Sequence, residues 1–358
     1  MIENKTAAKK SGISQRMAEF GALDTRDKWR YIGNWLLDHA MIIIILLMVI
    51  YIQVQRPAFL QTASIVNIIT LTASRLPMAL GIAGAIILTG TDLSAGRAVG
   101  LTAFVSAILL QKTDIASKFL PNVGTQPLAL VLLAALAIGG IVGLVNGFCV
   151  AKFKLHPFIV TLSTQLITYG TYLTLSGAKQ ISNLDESYTT GFVTKVMMKI
   201  GTTSVMSYVA FAVVVTAIMW VIWNKTAFGK NMFAVGSNEE AAKVSGVNVT
   251  LTIIAVFALA GVTYGYTGFV EAARLGASTG TLGLNYELDA IAACVIGGVS
   301  FVGGIGKISG VILGVFLMQL IISGMTFLGI SGNTTYIIKG LVILVACAID
   351  MRKYLTKK

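Results

Sequence analysis

Charge is what this sequence has least of. Only 12% of its 358 residues are Asp, Glu, Lys or Arg, against 56% hydrophobic, where an ordinary soluble domain carries roughly 25% charged residues. So few charges cannot clothe a soluble protein of this length. Histidine is nearly absent: His39 and His156 are the only two, which leaves a zinc site almost nothing to build from. Cys149, Cys294 and Cys347 are odd in number and lie within apolar stretches, so no disulfide framework or metal-ligand spacing is present. A phosphate loop of the Gly-x-x-x-x-Gly-Lys-[Ser/Thr] form is missing too; the nearest approach, Gly306-Lys307, lacks both the earlier glycine and the hydroxyl. Nor is there a histidine cluster, a nucleophile elbow or a pair of carboxylates spaced for catalysis. The expectation is a chain that is not an enzyme and needs no cofactor.

What the chain has in quantity is long apolar runs, each about the length that crosses a bilayer core of roughly 30 Å. Ten can be placed: 36–55, 64–89, 97–112, 128–151, 158–176, 205–223, 251–272, 287–300, 307–329 and 334–350. The fold class expected is all-α, a polytopic bundle of about ten transmembrane helices. The third and eighth are short for a full crossing and read as half-helices or parts of broken ones. The net charge of +12 does not suggest nucleic acid, because Lys and Arg are spread between apolar segments with no basic module visible. With the N-terminus inside and ten crossings, most of them fall on the cytoplasmic side, including Lys5, Lys9, Arg16, Arg97, Lys152, Lys154, Lys230, Lys243 and Arg352. That bias supports an N-in, C-in arrangement with an even number of spans. The domain reading is a cytoplasmic tail over 1–35, a membrane domain over 36–350 and a cytoplasmic tail over 351–358. The first tail has no apolar core or cleavage site of a signal peptide, and Trp29, Tyr31 and Trp35 stand where interfacial aromatics are expected.

Two connections are long. Residues 177–204 are polar and fall outside; residues 224–250 fall inside and contain GKNMFAVGSNEEAAKVSGVNV at 229–249. Ser237 followed by Glu240 has the spacing of a capping box, Glu239 and Glu240 suit the positive end of a helix dipole, and Gly246 suits a left-handed helix stop. One short helix over about 238–245 is expected. It is too short to stand alone in water, so it is either a linker on the membrane surface or a docking element.

Ionisable residues within or beside the apolar runs are costly in lipid and usually face protein or a water-filled cavity. Arg75, Asp92, Arg97, Glu271, Arg274, Glu287, Asp289 and Lys307 are of this kind. The residues taken as candidates for a pathway or gate are Asp92, Ser94, Arg97, Asn146, Glu287 and Asp289. Asn67, Thr70, Ser163, Gln165 and Tyr169 are further polar positions suited to an uncharged polar ligand, or to hydrogen bonds between helices. Gly139, Gly140, Gly143 and Gly147 occupy neighbouring positions of one span and read as a close helix–helix contact. A faint repeat lays 86–100 on 294–308, matching Gly90 with Gly298 and Gly96 with Gly304; glycine-interrupted helices of this sort sit near the site in many transporters.

Several motifs resemble those of permease subunits of bacterial ABC sugar importers. They are GTDLSAGR at 90–97, Gly143 with NGF at 146–148, HPFIVTLST at 156–164, YELDAIAACVIGGVSFVGG at 286–304 and YIIKGLVILVACAID at 336–350. Glu240-Ala241-Ala242 with Gly246 is similar to the EAA-type motif of that family. The resemblance runs from about residue 40 to 350, and within the family the runs at 91–97 and 293–301 are more similar to galactose/methyl-galactoside permeases than to ribose permeases. His156, where threonine is common, and the extended N-terminal tail depart from the pattern. The resemblance implies that Ser237, Glu239, Glu240, Ala241, Ala242 and Gly246 form a coupling helix that docks in a groove of a separate ABC ATPase subunit. It also implies a second permease subunit, a periplasmic or lipid-anchored sugar-binding protein, a monosaccharide substrate, transport by alternating access and a place in the bacterial inner membrane. Two other classes remain at this stage, an ion-coupled secondary transporter, in which the buried charges would be coupling sites, and a membrane enzyme. A ribose or other pentose permease is the alternative within the family.

Overall fold

A computed structural model describes residues 40–355, and side chains over 43–349; the N-terminal tail with Trp29, Tyr31 and Trp35 lies outside the described residues. Each of the ten apolar runs is a helix. They are α1 (Ala40–Gln55), α2 (Thr62–Ile87), α3 (Ala95–Leu109), α4 (Leu128–Phe153), α5 (Pro157–Ser176), α6 (Ser207–Lys225), α9 (Val249–Leu275), α10 (Tyr286–Ile296), α11 (Ile308–Phe327) and α12 (Gly332–Leu355). Six of the described helices, α2, α4, α6, α9, α11 and α12, are long and apolar enough to cross a membrane. The protein is a polytopic helical membrane protein. The last helix continues to Leu355, so part of the expected C-terminal tail extends the final span.

Two features differ from expectation. Residues 177–206 are not a bare loop but hold a π-helical turn (Thr189–Val193) and a hairpin of β1 (Val196–Ile200) and β2 (Thr203–Met206). The connection after α6 holds two helices where one was expected, α7 (Ala227–Ser237) and α8 (Glu239–Val244).

The core is organised around α9, 27 residues and about 40 Å long at 1.5 Å per residue, which packs against α4, α3 and α2. Its contact with α4 explains the glycine stripe. A Cβ on Gly139 would lie 2.2 Å from Gly261 O, and one on Gly143 would lie 2.1 Å from Phe257 O. Only bare backbones can approach so closely, and in lipid such packing replaces the hydrophobic effect as the force between helices. Gly140 differs: its Cβ would meet only the Val262 side chain, at 3.2 Å.

Contacts also give directions. Gly84 lies beside Val256 and Arg75 beside Glu271, so α2 runs against α9. Cys294 donates to Ala79 O, and Gly304 N–H donates to Ile87 O, so α10 runs with α2. The ends of α2 and α10 therefore break on the same side of the molecule, the side that carries α8. At the opposite end, Gln111 bridges to Leu184 and Ile181 to Ser278.

Candidate functional site

The break after α2 turns back into the bundle. Residues 88–94 climb from the α8 side to the level of Tyr264, a little past the middle of α9, and α3 begins there. The segment after α9 does the same from the other end: residues 276–285 dip inward, Gly283 packs on Gly96, and α10 starts beside it. Two short helices, of 15 and 11 residues, thus begin inside the protein and run away from one another. Each places an acidic residue at its positive end, Asp92 before α3 and Glu287 in the first turn of α10. Carboxylates are favoured there by the helix dipole.

Asp92 is fully buried. Its Oδ1 accepts from Ser94 N–H at 3.0 Å and from Ser94 Oγ at 2.6 Å, and its Oδ2 accepts from Tyr264 OH at 3.0 Å. Asn146 Nδ2 donates to Ser94 Oγ at 2.8 Å, while Leu93 N–H donates to Thr161 Oγ1 at 3.1 Å. No ion pair to Asp92 occurs among the described residues, so hydrogen bonds and the start of α3 supply its compensation. Glu287 is 3% exposed. One oxygen accepts from Gln165 Nε2 at 3.3 Å, and the other has no hydrogen-bond partner and lies against Gly96. Arg97 was placed on the cytoplasmic flank by the span count. It instead lies inside, with its guanidinium 3.9 Å from the Tyr169 ring centroid and an N–H on Gly280 O at 3.1 Å.

Five of the six pathway candidates, Asp92, Ser94, Arg97, Asn146 and Glu287, therefore meet at the opposed helix starts. Asp289 does not. Two residues along a helix point nearly opposite ways, and Asp289 turns to Lys339 of α12 at 2.8 Å. Nearby, Glu271 is fully buried between Arg75 at 3.7 Å and Arg274 at 2.8 Å. Arg75 also stacks 3.3 Å over Tyr286. Tyr264 and Thr161 went unread in the sequence: an aromatic and a hydroxyl within apolar helices carry no sign of partners at 91–93, far away in the chain.

At the α8 side the capping differs from the reading. Asn238 caps α8 by accepting from Ala241 N–H at 2.9 Å, while Ser237 Oγ donates to Phe233 O at 2.8 Å as the last residue of α7. The expected Ser237–Glu240 box does not form, because Ser237 already belongs to the preceding helix. Gly246 stops α8 at φ +85°, and Ala242 is its buried face. Val244 is 87% exposed, beside exposed Glu239 and Glu240. Behind α8, Gly236 is pressed on Ile87 O, and a Cβ on Gly303 would lie 2.3 Å from Gly236 O. The helix that precedes α8 thus touches the end of α2 and the Gly303-Gly304 turn between α10 and α11.

The sequence has relatives. A family model described as "Branched-chain amino acid transport system / permease component" matches residues 64–347. The chain belongs to this permease family. It is 46% identical to the galactose/methyl galactoside import permease of Salmonella typhimurium over 91% of its own length and 97% of the relative's. The corresponding protein of Haemophilus influenzae is 43% identical over 90% and 96%. A ribose import permease of Escherichia coli is 32% identical over 89% and 95%. No solved structure matches. The permease is a transport subunit, which sets aside the membrane-enzyme and secondary-transporter readings. Because the family description names amino acids and the relatives' names sugars, membership does not define the cargo.

Proposed function

We propose that this permease is the membrane subunit of an ATP-driven ABC importer of galactose and methyl galactoside in the bacterial inner membrane, working by alternating access. One observation carries the cargo: the 46% identity to galactose/methyl galactoside permeases against 32% to a ribose permease, each over about nine-tenths of the chain. In this reading the ten helices all traverse or enter the bilayer, with both termini and α8 on the cytoplasmic side. Residues 1–35 and 351–358 are cytoplasmic tails flanking a membrane domain over 36–350.

The working unit pairs two permease chains with ABC ATPase subunits and receives its monosaccharide from an external binding protein. Asn238-capped α8, with Glu239, Glu240, Ala241, Ala242 and Gly246, is the coupling helix, and Ser237 is its hinge to α7. Asp92, Ser94, Arg97, Asn146 and Glu287 gate or line the pathway, since discontinuous helices opposing their N-termini at mid-bundle are where transporters place their sites. ATP-driven movement of α8 reaches them through Gly236, which abuts Ile87 and Gly303. Only a state-dependent difference in contacts at α8 can transmit that energy.

The test is uptake of labelled galactose, methyl galactoside, ribose and xylose into vesicles containing this chain, an ABC ATPase and a sugar-binding protein. Galactose uptake that needs internal ATP and both partners is expected. Uptake driven by an ion gradient without them overturns the mechanism, and a preference for ribose overturns the cargo. Glu240→Lys or Gly246→Val should lower uptake by about tenfold or more while insertion is unchanged.

A further inference from the structure

A cavity of about 460 Å³ lies between the α4–α5 turn, α8 and the start of α9, and neither the pathway cluster nor the α7 contacts use it. Its polar wall is Lys154, His156, Glu239, Lys243, Asn248 and Thr250; its apolar wall is Leu88, Val150, Leu155 and Ile253. From this geometry we infer that the cavity binds the phosphate headgroup of an anionic phospholipid.

The charge has the right sign. Lys154 and Lys243 face one carboxylate, Glu239, leaving one positive charge over. The Lys154–Glu239 pair is long, at 3.7 Å, with both side chains substantially exposed; such pairs are weak, so a phosphate can compete for the ammonium. Lys154 is held at the mouth by its left-handed backbone, φ +57°, where α4 ends and the chain turns into α5. The first turn of α9 adds donors. Asn248 takes the N–H of Leu251 through Oδ1 and that of Thr252 through its carbonyl, leaving the N–H groups of Val249 and Thr250, two residues of the cavity wall, as anion donors.

The surroundings select a lipid over free phosphate. Leu155 in the wall is 46% exposed, and next to it Phe153 is 60% and Phe148 43% exposed, their two rings packed edge to face at 5.6 Å. These side chains at the end of a span bring acyl chains to the cavity, so a lipid headgroup seated there keeps its tails in the bilayer. Basic pockets between spans on the cytoplasmic side are a recurrent place for anionic headgroups. The site rests on the permease reading in requiring a bilayer and shares Glu239 and Lys243 with α8; lipid binding is measured on the chain without its partners or transport, so either can fail alone.

The experiment extracts the full chain from vesicles of equal phosphatidylglycerol and phosphatidylcholine and counts the lipids it retains by native mass spectrometry. Wild type should retain phosphatidylglycerol preferentially. Lys154→Gln with Lys243→Gln should cut that preference about tenfold, Lys154→Arg with Lys243→Arg should restore it, and millimolar inorganic phosphate should not displace the lipid. Lys225→Gln with Lys230→Gln removes equal charge from exposed positions outside the cavity and should leave the preference intact. Equal retention of the two lipids by wild type overturns the proposal, as does an equal loss in the Lys225/Lys230 variant or displacement by inorganic phosphate.

Discussion

At the scale of single residues, two buried carboxylates are held by different means, and their substitutions should separate accordingly. Asp92 is satisfied by hydrogen bonds alone. Tyr264→Phe removes one donor and leaves the buried Asp92 Oδ2 without a partner, worth about 1–3 kcal/mol, and thermal unfolding of the purified chain in detergent should show a loss of that order. Asp92→Asn keeps the shape, its oxygen can keep both Ser94 bonds and its amide can donate to Tyr264 Oη, so it should cost no more. Glu271 is held by ions. Glu271→Gln leaves Arg75 and Arg274 in a site with no anion between them, and breaking a buried pair from one side costs about 3–5 kcal/mol. The double substitution Arg75→Met with Glu271→Leu should be milder than Glu271→Gln alone, because it removes charge from both sides. A double variant less stable than the single one, by the same melting assay, would contradict an ionic role for this cluster. These residues also mark how far the sequence could be read. Charges in apolar runs announced that buried polar sites exist, and three of them, Asp92, Arg97 and Glu287, do converge, together with Ser94 and Asn146. Their partners were hidden, since Tyr264 and Asp92 are neighbours only through the packing of α9 on the break before α3. Glu287 and Asp289 stood together among the pathway candidates and part in the fold, for the plain reason that residues two apart leave a helix on different sides.

At the scale of elements, the α4–α9 contact gives a graded prediction. Gly143→Ala drives a methyl into the Phe257 carbonyl, while Gly140→Ala meets only a valine methyl, at 3.2 Å. The first should destabilise by about 1–3 kcal/mol, as overpacking does, and the second by clearly less. Equal effects on the melting temperature would mean that the helices do not meet through this stripe. The helices themselves were legible because hydropathy runs of bilayer length leave few alternatives. Residues 227–237 were not, because AFGKNMFAVGS mixes polar, small and apolar residues without a long run, and α7 is defined by what it packs on. The cap of α8 was misread for a related reason. Ser237 and Asn238 are both good caps, and only the presence of α7 decides between them. That element carries a second prediction. Gly303→Val forces Cβ atoms toward Gly236 O and strains a backbone at φ +90°, so it should part α7 from the broken segment. ATP hydrolysis by the assembled complex should persist while sugar moved per ATP falls about tenfold. Loss of both in proportion would point to a folding defect instead.

At the scale of the whole molecule, contact quality divides the chain into a body and two joints. The body is α2, α4 and α9 with α3, joined by glycine-mediated backbone contact and closed at the outer end by Glu271, Arg75 and Arg274. The joints are residues 88–94 and 297–306, where α2 and α10 have ended and the next helices have not begun. A core packed as densely as a crystal is bistable and does not deform continuously, so a stroke at α8 cannot bend α9. It can re-seat the joints, because α7 touches Ile87, the end of α2 where the first joint begins, and Gly303 and Gly304 within the second, and because few regular backbone bonds hold them. Motion at 88–94 moves Asp92 and Ser94 directly, and with them the start of α3. Amide hydrogen exchange on the assembled importer, with and without trapped ATP, should therefore change by at least several-fold at 88–94 and 297–306. Exchange across residues 139–147 and 254–268 should stay slow and unaltered in both states. Protection that changes as much along the α4–α9 contact as at the joints would mean that the body itself rearranges, and that Asp92 is carried by α9 instead of being moved against it.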